Sequence, residues 1–183
     1  MNKQTMVLIG VLFIAIFQVS SASQAINLSG RWKINFEQSD LGHTGAQLSE
    51  MTLDIQHEGI NLTIKKTIAL RDRDWIIENM YTTDNKECLN DGESLKGLKS
   101  VCYFENNKLF IKGEQEGFKI NFIEDSPPYR EYFKINSVEE YSLSFDKKTL
   151  TVNQIMKTDL DEIKVKYVYD KIESSEIWEV ANY

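Results

Sequence analysis

The chain has 183 residues, 42% of them hydrophobic and 27% charged, with 28 acidic against 21 basic side chains and a formal net charge of −7. Two Pro, two Cys and nine Gly exclude a collagen-like, low-complexity or disulfide-dense chain, and the apolar content is that of one ordinary globular core. The acidic balance also argues against a nucleic-acid binder, because the longest basic clusters are Lys65-Lys66 and Lys147-Lys148, too short to follow a phosphate backbone.

At the N-terminus Lys3 precedes an uncharged run over 6–17 and then the small-polar stretch Ser20-Ser21-Ala22-Ser23-Gln24-Ala25. That is the layout of a secretory signal peptide. The run is shorter than the roughly 20 residues of a bilayer-crossing helix, and no cysteine near the cut offers a site for lipid attachment. The expectation is a signal peptide over 1–25, cut after Ala22, Ser23 or Ala25, and a single domain over 26–183. The mature protein is expected to be periplasmic or secreted, with no stable membrane insertion.

From there on, period-two alternation dominates. Trp32, Ile34 and Phe36 alternate with Arg31, Lys33 and Asn35. Met51, Leu53 and Ile55 repeat the pattern, and His57-Glu58-Gly59 turns the chain into Ile60, Leu62 and Ile64, which reads as a hairpin. Further strands are predicted over 75–82, 99–104, 108–113, 118–123, 129–145 with a break near Ser137, 149–156 and 163–171, ten in all. The polar segment 38–47, with Gly42 and Gly45, is read as a connector that holds a short helix or covers one mouth. The tail 170–183, with Ile172, Ile177, Trp178 and Val180, is either helical or frayed.

An exported chain meets an oxidising compartment, where thiols pair. Cys88, in the polar stretch 84–92, and Cys102, in the strand over 99–104, are therefore expected to form a disulfide tying a long loop to the next strand. The chain-entropy model gives it about 3 kcal/mol. A reactive thiol or a metal site is the weaker reading, since no Cys-x-x-Cys or flanking His is present.

The connectors 105–108, 115–117 and 146–148 are short and polar, as hairpin loops are. They leave no room for parallel crossovers, so successive strands pair as an antiparallel meander. A twisted sheet of eight to ten strands with one apolar face folds over or closes, and closure removes its exposed edges. The predicted fold is all-β, an antiparallel up-and-down β-barrel of 8–10 strands. Pro127 and Pro128 are expected in a rim loop.

The stretch Asn27-Leu28-Ser29-Gly30-Arg31-Trp32-Lys33-Ile34 resembles the Gly-x-Trp opening of lipocalins and of exported bacterial lipocalin-like proteins. The run Leu143-Ser144-Phe145-Asp146-Lys147-Lys148-Thr149-Leu150-Thr151-Val152 is similar to their Leu-Ser-x-Asp-Gly-Lys-x-Leu-Thr-Val hairpin, with Lys147 at the usual glycine. Thr83-Asp84-Asn85 resembles a further turn of that group. The resemblance implies a lipocalin-like, calycin-type barrel. The C-terminal strand offers Lys164, Lys166 and Lys171, and no Arg, to pack over Trp32. Gly30 would permit close backbone approach, and Trp32 would plug the closed end with its indole nitrogen bonded to a backbone carbonyl.

Catalytic constellations are missing. His43 and His57 read as exposed polar residues in a loop and a turn. No nucleophile elbow, zinc-protease helix, phosphate loop or dinucleotide motif is present. The acidic tips at Asp72-Arg73-Asp74 and 159–162 match no EF-hand, and no cofactor is implied. The sequons at Asn27 and Asn61 matter only in a eukaryotic secretory pathway.

What remains is the interior. Trp75, Tyr81, Tyr103, Phe110, Phe118, Phe122, Tyr141 and Tyr167 fall on plausible inward faces, mixed with Asn79 and Gln154. An apolar cavity with a few polar groups is the usual form of a small-molecule site. The leading expectation is non-catalytic binding of a small hydrophobic or amphipathic molecule. The alternative is a periplasmic partner-binding module, an inhibitor or envelope assembly factor, that uses Pro127, Pro128, Tyr129 and Tyr132 on the rim.

Overall fold

The computed structural model describes residues 26–42, 48–69, 74–92, 95–121 and 129–173. Ten strands follow one another in it: β1 (Gly30–Ile34), β2 (Glu50–Glu58), β3 (Asn61–Ala69), β4 (Asp74–Thr82), β5 (Asp84–Gly92), β6 (Leu95–Glu105), β7 (Lys108–Asn121), β8 (Tyr129–Leu143), β9 (Thr149–Lys157) and β10 (Glu162–Lys171). The expected leader over 1–25 lies outside the described residues, as do Phe122, Pro127, Pro128 and the tail 174–183. No helix of the described residues is long and apolar enough to cross a membrane.

Every strand pairs antiparallel with its sequence neighbour except β4 and β5, and β1 joins β10, with Trp32 opposite Lys171 and Ile34 opposite Tyr169. The result is an up-and-down barrel closed but for one seam. Its cause is the alternation in the sequence: a period-two strand with one apolar face can only bury that face by curling it inward. Thus Met51, Leu53 and Ile55 of β2, Leu62 and Ile64 of β3, and Leu150 and Val152 of β9 are all buried in one core.

Trp32 sits at the base of that core, completely enclosed, and its indole N–H donates to the Leu28 carbonyl at 3.1 Å. Over its ring lies the Lys171 ammonium, 5.3 Å from the ring centre. A lysine thus fills the place where the sequence offers no arginine. Gly30, at φ 144°, makes this possible: a Cβ there would stand 3.1 Å from Lys171 Cε and 3.6 Å from the Trp32 indole nitrogen.

Two strand assignments change. Residues 84–92, read as a polar loop, form β5. The separate strands over 108–113 and 118–123 are one continuous strand, β7. Gly117 breaks nothing: a Cβ there would lie 2.8 Å from Ile135 Cδ1 and 3.0 Å from the Phe133 ring, so the glycine makes room for its cross-strand neighbours. Likewise β8 runs through Ser137 without interruption. One strand missed and one counted twice leave the total at ten.

The seam between β4 and β5 is stitched by side chains. The backbone N–H of Met80 donates to Asn90 Oδ1 at 2.8 Å, and that of Thr82 to Cys88 Sγ at 3.2 Å. Asn90, itself buried, reaches on to Ser100 Oγ at 3.4 Å. Edge N–H groups that a closed ladder would satisfy with carbonyls are satisfied here by inward side chains.

The expected disulfide is absent: Cys88 and Cys102 are both free thiols. Cys88 stands opposite Ser100 rather than Cys102, and Cys102 opposite Ile111 on the next strand. The two cysteines are thus diagonal neighbours, and the Cys88 sulfur turns to Thr82. Burial, and secondarily Cys88, push the Cys102 thiol up to about 12, which keeps it protonated.

The segment after β1 contains no α-helix among its described residues. Instead Asp40 exchanges backbone hydrogen bonds of 2.8 Å with Lys166, laying the chain along β10 and burying Leu41. Residues 43–47, including His43, lie outside the described set. His57 is not exposed: its ring stacks on Phe104 at 5.4 Å, and neither ring nitrogen has a partner among the described residues. At the acidic tip, Glu162 pairs with Lys157 at 2.6 Å and Lys164 at 2.8 Å.

Candidate functional site

Above the Trp32 base the barrel interior is not filled. A cavity of about 180 Å³ opens between β3, β4 and the strands β6 to β9. Its floor is made by Tyr81, Tyr141 and Ile111, all buried. A polar belt follows one step up: Asn79, Ser100, Glu139 and Gln154. Towards the far end of the barrel Ile77, Leu98, Ile135 and Met156 make the lining mainly apolar, with Ser137, Gln115 and one cation, Lys66, among them.

The levels follow from register. Tyr141 of β8 stands opposite Leu109, Glu139 opposite Ile111 and Gln154, Ser137 opposite Gly113 and Met156, and Ile135 opposite Gln115. Since side chains two apart share a face, with roughly 3.3 Å of rise per residue, β8 presents Tyr141, Glu139, Ser137 and Ile135 as a ladder from floor to mouth.

The belt is tied together. Glu139 accepts from the Tyr141 hydroxyl at 2.5 Å and from Gln154 Nε2 at 2.6 Å. The Tyr167 hydroxyl donates to Gln154 Oε1 at 3.3 Å. Burial, with the Glu139 charge adding to it, pushes the phenols of Tyr81, Tyr141 and Tyr167 above their ordinary value, that of Tyr167 to about 12. All three are therefore neutral donors in the physiological range. Lys66 holds its ammonium 5.5 Å from the centre of the Tyr167 ring.

The eight aromatics expected inside divide into groups. Tyr81 and Tyr141 line the cavity together with the expected polar residues Asn79 and Gln154. Tyr167 is inside and bonded to that belt through Gln154 but does not line the void. Trp75 stands in the row of Ile77, Asn79 and Tyr81, opposite Ile68, but at the rim, where it is 49% exposed and outside the lining.

Tyr103 and Phe110 are corrections. They pair across β6 and β7 and stack at 5.5 Å on the outer face, with the Lys112 ammonium 5.2 Å over Tyr103, because their neighbours Cys102 and Ile111 take the inward positions. Phe122 and the side chain of Phe118 lie outside the described residues. Of the expected rim group only the Tyr132 side chain is described, and it is 57% exposed; Pro127, Pro128 and the Tyr129 side chain fall outside.

Glu139, Ser137, Ser100 and Lys66 were missed by sequence reasoning. The signal for Glu139 was present: the parity that turns Tyr141 inward also turns the residue two before it inward. It is hidden because a glutamate in a strand ordinarily marks the wet face, and Glu139 is followed by Glu140, which does face outward to Lys108 at 2.8 Å.

No family model and no curated relative matches the chain. Solved structures do. The zebrafish ileal bile acid-binding protein complexed with cholic acid superposes with a TM-score of 0.52 at 12% identity, covering 79% of this chain and 98% of that one. The wild-type fluorescent protein UnaG superposes with a TM-score of 0.50 at 16% identity, covering 79% and 96%. These similarities bear on architecture, and with the ten-strand meander they make the fold an all-β, calycin-like barrel.

Proposed function

We propose that the protein is exported and binds one small apolar or amphipathic molecule inside its barrel, without transforming it. The observation that carries the reading is the unfilled interior: a cavity with an apolar upper wall and a hydrogen-bonded polar belt, the usual construction of a ligand site. At about 180 Å³ it has room for about six waters and is smaller than the roughly 300–1,000 Å³ of drug-sized sites. It therefore suits a small ligand or the buried end of a longer one. The zebrafish neighbour, whose structure holds cholic acid, is an instance of a similar barrel carrying an amphipathic guest. Export rests on the leader pattern over 1–25.

Native mass spectrometry of protein isolated from its host without refolding tests both parts. The expected result is a polypeptide beginning at Ile26 that carries a stoichiometric organic adduct, released on denaturation and extractable into organic solvent. An intact N-terminus contradicts export. Ligand-free protein that also binds no apolar probe contradicts the carrier reading.

A further inference from the structure

Glu139 is the one carboxylate lining the cavity among the described residues, and Lys66 the one cation. The two are at different levels. Glu139 stands one inward position above the Tyr141 floor, while Lys66 leans on the ring of Tyr167. Gln154 and Tyr141 each give Glu139 one hydrogen bond, and no ion pair to it exists among the described residues. A carboxylate has about four acceptor positions, so Glu139 retains acceptor capacity on the cavity side. Tyr81 and Tyr141 line the cavity beside it, the Tyr141 hydroxyl directed at its carboxylate.

This arrangement selects by head group. A ligand carboxylate at the belt would face Glu139 with no cation beside it, and like charges in a partly desolvated site repel strongly. A ligand ammonium would instead gain an ion-paired hydrogen bond to Glu139. Lys66 over Tyr167 already shows an ammonium settled against an aromatic wall of this interior. Above the belt, Ile77, Ile135 and Met156 offer apolar surface, interrupted by Ser137, Gln115 and Lys66.

Building on the carrier reading, we propose that the ligand is an amphipathic amine that enters head first, its ammonium donating to Glu139 and its alkyl part lying against Ile77, Ile135 and Met156.

The test uses three matched probes, octylamine, octanol and octanoate, titrated calorimetrically into the mature protein at neutral pH. The expected order is octylamine tightest, octanol intermediate and octanoate weakest, with at least a tenfold gap between the two ends. Glu139→Gln should bring octylamine and octanoate within about threefold of each other. Lys66→Gln, which leaves Glu139 in place, should widen the native gap. Octanoate or octanol binding as tightly as octylamine to the native protein overturns the head-group assignment, as does a preference for the amine that survives in Glu139→Gln. Failure of all three probes to bind overturns the carrier reading itself, a separate outcome.

Discussion

Lys171 lays its ammonium over the face of Trp32, 5.3 Å from the ring centre, and the two residues are directly opposed across the β1–β10 junction that closes the barrel. The plug and its cover are thus placed by the same register that joins the first strand to the last.

Truncating the plug removes a fully buried indole and its hydrogen bond to Leu28. Trp32→Ala is expected to cost about 3–5 kcal/mol in urea unfolding. Lys171→Ala, whose ammonium is exposed, should cost only about 0.5–1 kcal/mol. A Trp32→Ala protein with the native midpoint would contradict the plug role.

The seam makes a second, local prediction. Asn90→Ala leaves the partly buried Met80 N–H without its acceptor, at a cost of about 1 kcal/mol. Cys88→Ala should cost less, since sulfur is a weak acceptor. Hydrogen exchange should accelerate at Met80 in the first variant and at Thr82 in the second, with the amide of Val152 in β9, five strands from β4, unaffected. Uniform acceleration throughout the core would show that the seam is not held by these side chains.

At the β8–β9 hairpin, Lys147 adopts φ 59°, in the left-handed region that suits glycine. Ser144 and Asp146 hold the turn, with Ser144 Oγ donating to Asp146 Oδ1 at 2.6 Å and the Lys148 N–H to the same oxygen at 3.1 Å. Lys147→Gly is expected to stabilise the protein by about 0.5–1 kcal/mol, the relief of strain exceeding the added chain entropy. A fall in thermal midpoint would show the opposite balance.

Four phenols, those of Tyr81, Tyr141, Tyr167 and Tyr169, are raised above the ordinary tyrosine value, in each case chiefly by burial. A raised folded-state pKa contributes stability that is complete below about pH 10, where the unfolded phenols begin to ionise, and is lost as pH rises further. Tyrosinate absorbance should show these four phenols ionising well above the ordinary tyrosine range or together with unfolding. Titration of all eight tyrosines near pH 10 with circular dichroism unchanged would contradict their burial.

Much of the barrel was legible because alternation is a strong signal wherever the inward residues are Trp, Ile, Leu or Val, as in β1, β2, β3 and β9. It failed where inward positions are small or polar. In β5 the inward residues are Cys88 and Asn90, chosen for the seam, so the strand reads as a loop. In β7 they include Gly113, Gln115 and Gly117, chosen for space, so one strand reads as two. The same cause hid half of the site. Tyr81, Tyr141, Asn79 and Gln154 could be placed from their own strands, whereas Tyr103 and Phe110 were set inward on aromatic character when the parity of Cys102 and Ile111 turns them out. A disulfide inferred from compartment alone could not anticipate that Cys88 opposes Ser100.

If a guest sits in the hollow, filling the hollow must expel it. Ser137 faces the cavity opposite Gly113 and Met156, so Ser137→Leu and Ser137→Trp place side chains of increasing size into the void. Fluorescence titration with an apolar probe should give one site in the native protein, weakened in the leucine variant and reduced at least tenfold in the tryptophan variant, with far-ultraviolet dichroism unchanged. Equal probe binding by a folded Ser137→Trp variant and the native protein would contradict the account.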